Sequence, residues 1–400
     1  MKLLATKMHF VSFSITLLFM LWLLPLTKLY ADTVNTINSD REDVDISTDL
    51  IVDKSAWDSA NNPSNINEET SDQAFEYNFN RLPINGSLGY QPWSDNYWPN
   101  SKGGLTYRWH SQRGFDRFRS APSNKRKAMR MSMRRIAALS PAEKYDIFTG
   151  RFDYPLTRAE RARTAGSDEK WEGICHGLAP ASFLFKEPKP VTLRSVDGIL
   201  IPFGSSDIKG LLSLLQGEYN KNGKNYYAGN RCNEKFNVLR DFNRSNPCLD
   251  VNAGAFHVIL SNRLGILHRG LVMDKATNIE IWNHALLAYT TKVISSRRPS
   301  RGAARSTVKE LVVSTILTYT LGSAQSFYPN DPARRKALRQ NKEYRYILEL
   351  DSDRNIVGGK WISSDYPDFL WIQDRATFTS TFEALEEIYR RSIEYNGDIY

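Results

Sequence analysis

The sequence predicts an α+β fold, in which helices dominate the first half of the chain and antiparallel strands the second half. Residues from about 120 to about 220 carry amphipathic and capped segments that are typical of helices. Residues from about 250 to about 375 carry short apolar or β-branched runs separated by turn residues, as strands do. No segment repeats at a fixed period, and 400 residues with 41% hydrophobic side chains can bury a full core.

The first part of the chain contains several predicted helices. Residues 123–139 combine helix-forming and basic side chains. The next helix opens with a capping box, in which Ser140 is the N-cap and Glu143 reaches back to it, and it stops at Gly150. Residues 205–219 place leucine and isoleucine at three- and four-residue spacing, which predicts an amphipathic helix.

The second part of the chain is predicted to form an antiparallel sheet. The predicted strands are the apolar or β-branched runs 255–260, 270–274, 279–294, 309–320 and 344–351. Residues 380–395 are predicted to close the chain as a helix.

The N-terminus has the order of a secretory signal. Basic Lys2 and Lys7 precede an apolar stretch over residues 10–26, and the small Ala31 offers a cleavage point. A membrane anchor is the alternative, but the apolar stretch is short for a span and contains serines. We therefore predict a signal peptide over residues 1–31, and a mature protein that is secreted or periplasmic.

Charge is unevenly distributed along the chain, whose formal net charge of +9 falls to +6 without the predicted signal. Residues 32–75 hold eleven acidic and two basic side chains, which predicts a disordered acidic arm before a catalytic domain over residues 76–400. Residues 113–135 hold nine basic side chains and one acidic one, which fits either an anion-binding patch or a solvated helix face. We favour the solvated face, and expect neither a nucleic-acid partner nor stable membrane association.

The chain has three cysteines, and export favours disulfides. Cys232 and Cys248 lie sixteen positions apart in a loop-like stretch, so we predict that they pair, although sequence leaves the other pairings open. Their pairing would leave Cys175 as a single thiol. Small Gly173 and Gly177 flank Cys175 near a predicted helix start, where the helix dipole favours a thiolate.

A reactive thiol needs a base and a residue that orients the base. We favour His257 as the base, because it opens a predicted apolar strand after small residues that would let it face a cleft. His176 follows the thiol directly and is expected to point elsewhere along a helix. Asp274 closes the next predicted strand and is the favoured orienting acid; the alternatives are Asp250 and Asn283.

Several ordered motifs resemble the transglutaminase elicitor family. They are WEGICHGLAPAS, DVNAGAFHVILSNRLGI, GLVMD followed by EIWN, and IVGGKW followed by PDFLW. The resemblance runs from about Leu82 to Trp371. It implies a papain-like core, in which a helical part bears the nucleophile Cys175 and an antiparallel sheet bears His257 and Asp274.

The resemblance also implies a function, which is a transglutaminase that joins a protein glutamine to a lysine or polyamine through a cysteine thioester. Trp171, Asn252 and Trp282 are expected to line the cleft or the oxyanion site, with no cofactor and no metal site. The alternatives are a papain-like protease and a non-catalytic binding protein. His284 and Ala285 replace the Gln and Pro of a family segment seen by plants, so elicitor activity is not implied.

Overall fold

We describe the protein from a computed structural model, which covers residues 57–67, 74–111, 121–230, 250–275 and 280–394. These residues form nine α-helices and ten β-strands. The helices are α1 (Lys125–Met129), α2 (Met133–Ala137), α3 (Pro141–Phe148), α4 (Pro155–Thr164), α5 (Cys175–Leu184), α6 (Ser205–Glu218), α7 (Ala253–Leu260), α8 (Pro332–Ala337) and α9 (Glu383–Glu394). The strands are β1 (Asn85–Ser87), β2 (Val191–Arg194), β3 (Leu200–Phe203), β4 (Asn225–Ala228), β5 (Val272–Asp274), β6 (Asn283–Arg297), β7 (Lys309–Thr320), β8 (Arg339–Leu350), β9 (Ile356–Trp361) and β10 (Leu370–Gln373).

The main sheet is antiparallel and has the order β4–β10–β5–β6–β7–β8–β9, with β1 paired to β6 as well. Its centre is the long β6–β7–β8 meander, which consists largely of the β-branched runs predicted as strands. At the start of β6, Asn283 lies opposite Asp274 of β5. Strands β2 and β3 form a separate hairpin.

Besides a small cluster formed by α5, β5 and β10, two large hydrophobic cores support this mixed arrangement of helices and antiparallel sheet. One lies between the sheet and α7, where Phe256 and Leu260 meet Tyr344 and Leu348. The other joins helices α3, α5, α6 and α9 to the β2–β3 hairpin. The α+β prediction is confirmed at this level, since helices lead and the sheet follows.

Most of the predicted helices are present. The capping box of α3 is complete, because the Glu143 backbone N–H donates to the Ser140 hydroxyl and the Ser140 N–H donates to the Glu143 carboxylate. Helices α6 and α9 also lie where the pattern places them. The prediction of one helix over residues 123–139 is only partly right, because two short helices share that stretch.

The prediction of a strand at residues 255–260 is wrong, since these residues lie in α7. The Asn252 side chain caps this helix by accepting from the backbone N–H groups of Gly254 and Ala255. All eight residues of α7 are buried, so no polar face marks the helical period. A short apolar run of this kind does not distinguish a buried helix from a buried strand.

The acidic arm requires a correction, because its residues 57–67 are packed rather than disordered. Ile66 is fully buried in the sheet core, and Trp57 packs against the same core. The Asn61 side chain accepts from the Asn252 backbone N–H at 2.6 Å, which ties the segment to the start of α7. The predicted signal peptide and the remainder of the arm up to residue 56 lie outside the described residues, as do Cys232 and Cys248.

Within the part of the chain that the structure describes, no helix is both long and apolar enough to cross a membrane.

Candidate functional site

Cys175 is the first residue of α5, and its thiol lies where this helix meets the sheet. Gly177 lets α5 approach α6 closely, because a Cβ atom there would come within 2.0 Å of the Ser213 carbonyl oxygen. The preceding turn is held by Tyr97, whose backbone oxygen accepts from the Ile174 N–H at 2.8 Å. Cys175 was predicted to lie near a helix start, and α5 begins at this residue, with Pro180 accommodated within the helix.

The thiol contacts both the helix and the sheet. The Cys175 Sγ lies 3.5 Å from the Ile281 carbonyl oxygen and 3.7 Å from the Asn283 Nδ2. The Trp371 Nε1–H donates to the Asn283 Oδ1 at 2.8 Å. Because this bond fixes the orientation of the amide, the Asn283 N–H groups point to the thiol.

The imidazole beside the thiol is that of His176. Its Nε2 lies 3.3 Å from the Glu218 Oε1, and its interaction with the Cys175 thiol favours the thiolate. Glu218 ends α6, and Arg163 approaches the same carboxylate oxygen at 3.5 Å. Thiol, imidazole and carboxylate therefore form a continuous chain.

This arrangement favours a thiolate–imidazolium pair. Burial opposes the charged form of His176, but its hydrogen bonds to Cys175 and Glu218 outweigh burial and raise its pKa to about 9. Burial likewise opposes the Cys175 thiolate, yet His176 and Asn283 together lower the pKa of the thiol. The hydrogen bond from His176 also lowers the pKa of Glu218.

Two cavities meet at Cys175. The larger is a cleft of about 800 Å³, whose lining includes Trp171, His176, Glu218 and Trp371. The smaller is a pocket of about 90 Å³ that is also lined by Cys175, and Trp282 and Asn283 are among its lining residues. Of the three residues predicted to line the cleft or the oxyanion site, Trp171 lines the cleft and Trp282 lines the smaller pocket.

The structure does not bring His257 to the thiol. His257 lies in α7, is 2% exposed, and hydrogen-bonds through Nδ1 to the Tyr346 hydroxyl at 2.8 Å. Its ring stacks on Phe79. Neither of the two cavities at Cys175 is lined by His257. The apolar surroundings that suggested a cleft-facing base belong to a core histidine instead.

This core position has a consequence for stability. Burial lowers the pKa of His257 to about 4, so the unfolded chain binds a proton near the ordinary value of 6.5 while the folded chain does not. We therefore expect the free energy of unfolding to fall as the pH drops from about 6.5 to about 4. The expected loss from this group is about 2–4 kcal/mol, at 1.36 kcal/mol per pKa unit.

Denaturant titrations across this pH range, on the wild type and on His257→Gln, would measure the effect. The variant should show a shallower pH slope, although not a flat one, because burial also lowers the pKa of His284 to about 4. Equal slopes in the two proteins would contradict the assignment of His257 to the core.

Asp274 lies beside the site rather than in it. It is buried, and its Oδ1 accepts from the Trp282 backbone N–H at 3.0 Å. Asn283 is its partner across β5 and β6. Asp274 therefore holds the start of β6, which carries Asn283 to the thiol.

The other predicted or alternative residues have different positions. Asn252 caps α7 instead of lining the cleft. Asp250, an alternative orienting acid, is half-buried and lines neither of the two cavities at Cys175. Asn283, the other alternative, is the one that reaches the thiol. Within the described ranges, no group of three or more His, Cys, Asp or Glu side chains is placed to hold a metal ion.

Sequence reasoning missed His176 and Glu218. The sequence predicts that His176 points away from Cys175, because consecutive residues within a helix face different directions. Cys175 is the first residue of α5, so this rule does not fix the direction of its side chain. The sequence feature that points to Glu218 is the preceding residue, Gly217. A Cβ atom at Gly217 would lie 2.9 Å from the His176 ring, so this glycine leaves the space that the imidazole occupies.

Known proteins are similar to this chain both in sequence motifs and in fold. Residues 157–390 match the sequence profile of the family described as Transglutaminase elicitor. The structure is similar to the crystal structure of the GP42 transglutaminase from Phytophthora sojae, with a TM-score of 0.59 and 19% sequence identity. That similarity covers 80% of this chain and 95% of the other, and at this identity it concerns the fold alone. No curated protein matches the chain.

Proposed function

Because the chain belongs to the transglutaminase elicitor family, we propose that it is a protein-glutamine acyltransferase whose nucleophile is Cys175. The observation that carries the proposal is the group formed by Cys175, the adjacent His176 and Glu218, whose carboxylate lies 3.3 Å from the imidazole, at the wall of an 800 Å³ cleft. A nucleophile, a base and a residue that orients the base are the groups that acyl transfer requires. Family membership implies protein substrates in general, and a glutamine side chain is the acyl donor proposed here.

The first half-reaction forms a thioester. The Cys175 thiolate attacks the side-chain carbonyl carbon of a glutamine, and the carbonyl oxygen gains the negative charge. Asn283 Nδ2 and the positive end of α5 are placed to stabilise that oxygen. His176 then gives its proton to the amide nitrogen, the carbon–nitrogen bond breaks, and ammonia leaves.

The second half-reaction transfers the acyl group to a primary amine. The amine nitrogen attacks the thioester carbon, and His176 accepts the proton that this nitrogen loses. The carbon–sulfur bond breaks, which restores the thiolate and releases the new amide. Glu218 keeps the imidazole oriented in both halves, and the proposed steps use only groups of the chain and its substrates.

Water could replace the amine in the second half, which would make the product a carboxylic acid. Trp171, Phe369 and Trp371 line the cleft near the thiol, and such aromatic walls favour exclusion of water from the thioester. The aromatic lining therefore supports amine transfer over hydrolysis. The signal-like N-terminus supports export, and a thiol-bearing helix that faces a sheet supports a papain-like organisation of the core.

The test is incorporation of a labelled primary amine into a glutamine-bearing protein. We expect the wild type to incorporate the label, and Cys175→Ala to lose activity while keeping its Tm within a few degrees. Mass spectrometry of a short reaction should find the acyl adduct on the peptide that contains Cys175.

Two results would overturn the proposal. Release of a carboxylic acid with no amine product, at saturating amine, would identify a hydrolase. The absence of an adduct, together with an alkylation rate at pH 7 equal to that of an ordinary thiol, would identify a binding protein.

A further inference from the structure

Three residues that line the small pocket each have one buried polar atom with no hydrogen-bond partner among the described residues. The atoms are Asp95 Oδ2, His284 Nε2 and Thr320 Oγ1. Asp95 is 1% exposed and Thr320 is 7% exposed, so bulk solvent does not satisfy either group. Buried polar atoms without partners are rare in folded proteins, and such a cluster beside a nucleophile indicates a site for a ligand.

The three atoms share one chemical property, which is the capacity to accept a hydrogen bond. The neutral His284 ring donates from Nδ1 to the Thr320 backbone oxygen at 3.1 Å, which leaves Nε2 as an acceptor. Asp95 accepts from the Ser206 hydroxyl through Oδ1 at 2.7 Å, which leaves Oδ2. An occupant that hydrogen-bonds to these atoms would therefore have to carry several N–H or O–H donors.

The walls of the pocket suit a cation. Trp93, Tyr97 and Trp282 line it with aromatic rings, which attract cations at short range. Burial raises the pKa of Asp95 to about 7 despite the opposing charge of Lys209, and a cation in the pocket would favour the carboxylate again. The Lys209 ammonium is itself engaged, since it lies 2.6 Å from the Glu187 carboxylate.

We propose that this pocket binds the amine nitrogen of the acyl-transfer reaction, as an ammonium ion or the head of a primary amine. The inference rests on the proposed function and adds the location of the amine to it. Cys175 lines both cavities, so a glutamine in the large cleft and an amine in the small pocket would meet at the same thioester carbon.

The volume of the small pocket limits how much of the amine can enter it. A volume of about 90 Å³ holds ammonia or a methylamine-sized head but not a whole lysine side chain. Among the lining residues, Leu178 and Leu321 are half-buried and Gly322 is exposed. The apolar stem of a longer amine would lie along these residues, with its nitrogen inside.

The nitrogen has two chemical sources, which are the acceptor amine and the ammonia released from glutamine. Steady-state kinetics with methylamine as acceptor, and inhibition by added ammonium chloride, would separate them. For Asp95→Asn we expect the KM for methylamine to rise roughly 10- to 100-fold, the factor for a hydrogen bond to a charged group. The ratio of amine transfer to hydrolysis should fall by a similar factor.

A matched control is Asp146→Asn, which removes a carboxylate that is equally buried but bonds to Leu156 and Thr157 away from the thiol. Its KM for methylamine should not change. His284→Gln provides a second pocket variant if Asp95→Asn does not fold. A rise in KM alone would assign the pocket to the acceptor, and a loss of ammonium inhibition alone would assign it to the leaving group.

A binding measurement separates this inference from the proposed function. Ligand-observed NMR should detect methylammonium binding to Cys175→Ala, and the signal should be lost in the double variant with Asp95→Asn. If the wild type makes no thioester, the proposed function fails while this binding can still be measured. Unchanged methylamine kinetics and ammonium inhibition in both pocket variants would identify a water-filled pocket and overturn the inference.

Discussion

Replacing His176 by glutamine is expected to lower kcat for amine transfer by roughly 10²–10⁴-fold, the usual range for losing a general acid–base group. The imidazole lowers the pKa of the Cys175 thiol and lies 3.3 Å from Glu218, so its loss removes both the proton carrier and the partner of the thiolate. The pKa of the Cys175 thiol should rise at the same time. Alkylation of Cys175 at pH 7 should therefore slow in the variant.

The matched control is His257→Gln, which removes a histidine that is buried in the sheet core. It should lower the Tm and leave the alkylation rate of Cys175 near the wild-type value. The opposite result, an inactive but folded His257→Gln and an active His176→Gln, would show that His257 is the base, as the sequence predicts.

The pH profile of the wild type gives an independent readout of the same pair. Activity should fall as the pH rises through about 9, because His176 loses the proton that ammonia must carry away. It should also fall at low pH, where the thiolate is protonated, and this limb should lie below the ordinary pKa of a thiol. In His176→Gln the limb near pH 9 should disappear.

Replacing Asn283 by alanine is expected to lower kcat by roughly 10²–10³-fold, the range found for loss of one oxyanion donor. The Asn283 amide reaches the thiol from the sheet side, at 3.7 Å, and is the side-chain donor proposed to meet the developing oxyanion. The measurement is single-turnover formation of the thioester, which isolates the first half-reaction. The KM for the glutamine substrate should change much less than kcat.

Two further variants test whether Asn283 acts through its N–H group. Asn283→Asp keeps the shape but replaces the donor by a negative charge, so it should be at least as slow and should raise the pKa of the Cys175 thiol. Trp371→Phe removes the bond that orients the amide, and should cost less than Asn283→Ala because Asn283 remains. If Asn283→Ala matched the wild type in thioester formation, the oxyanion donor would have to be sought elsewhere.

The features that sequence reasoning predicted well are local. The capping box of α3, the leucine spacing of α6 and the β-branched runs of β6 and β7 each carry their own signal. The position of Cys175 near a helix start was also predicted, since flanking glycines and a helix start are local features of the sequence. The family resemblance is confirmed by the match over residues 157–390.

The features that sequence reasoning did not predict depend on tertiary contacts. His257 follows small residues in an apolar run, and that pattern is shared by a cleft-facing base and a core histidine. Only the hydrogen bond to Tyr346, almost ninety residues later, shows which of the two is present. Glu218 reaches His176 because α5 and α6 pack closely through Gly177 and Gly217, and no local pattern reports such an approach.

The acidic arm is a second case in which tertiary contacts differ from what the sequence predicts. Its composition is typical of a disordered chain, but composition is an average over the whole segment. Ile66 and Asn61 are two residues in that segment, yet one is buried in the sheet core and the other bonds to the start of α7. A few well-placed contacts can therefore order a stretch whose overall composition argues against order.

Cys175 and His176 are joined by a single peptide bond, and this has a mechanical consequence. When a nucleophile and its base lie on different structural layers, any breathing motion that separates the layers also separates the pair. Cys175 and His176 both lie in the first turn of α5, and Glu218 lies on the adjoining α6. Widening of the cleft would withdraw Asn283 and the sheet from the thiol while leaving the charged pair intact. Opening of the cleft by a bulky protein substrate would therefore separate Cys175 from Asn283 while His176 stays beside the thiol.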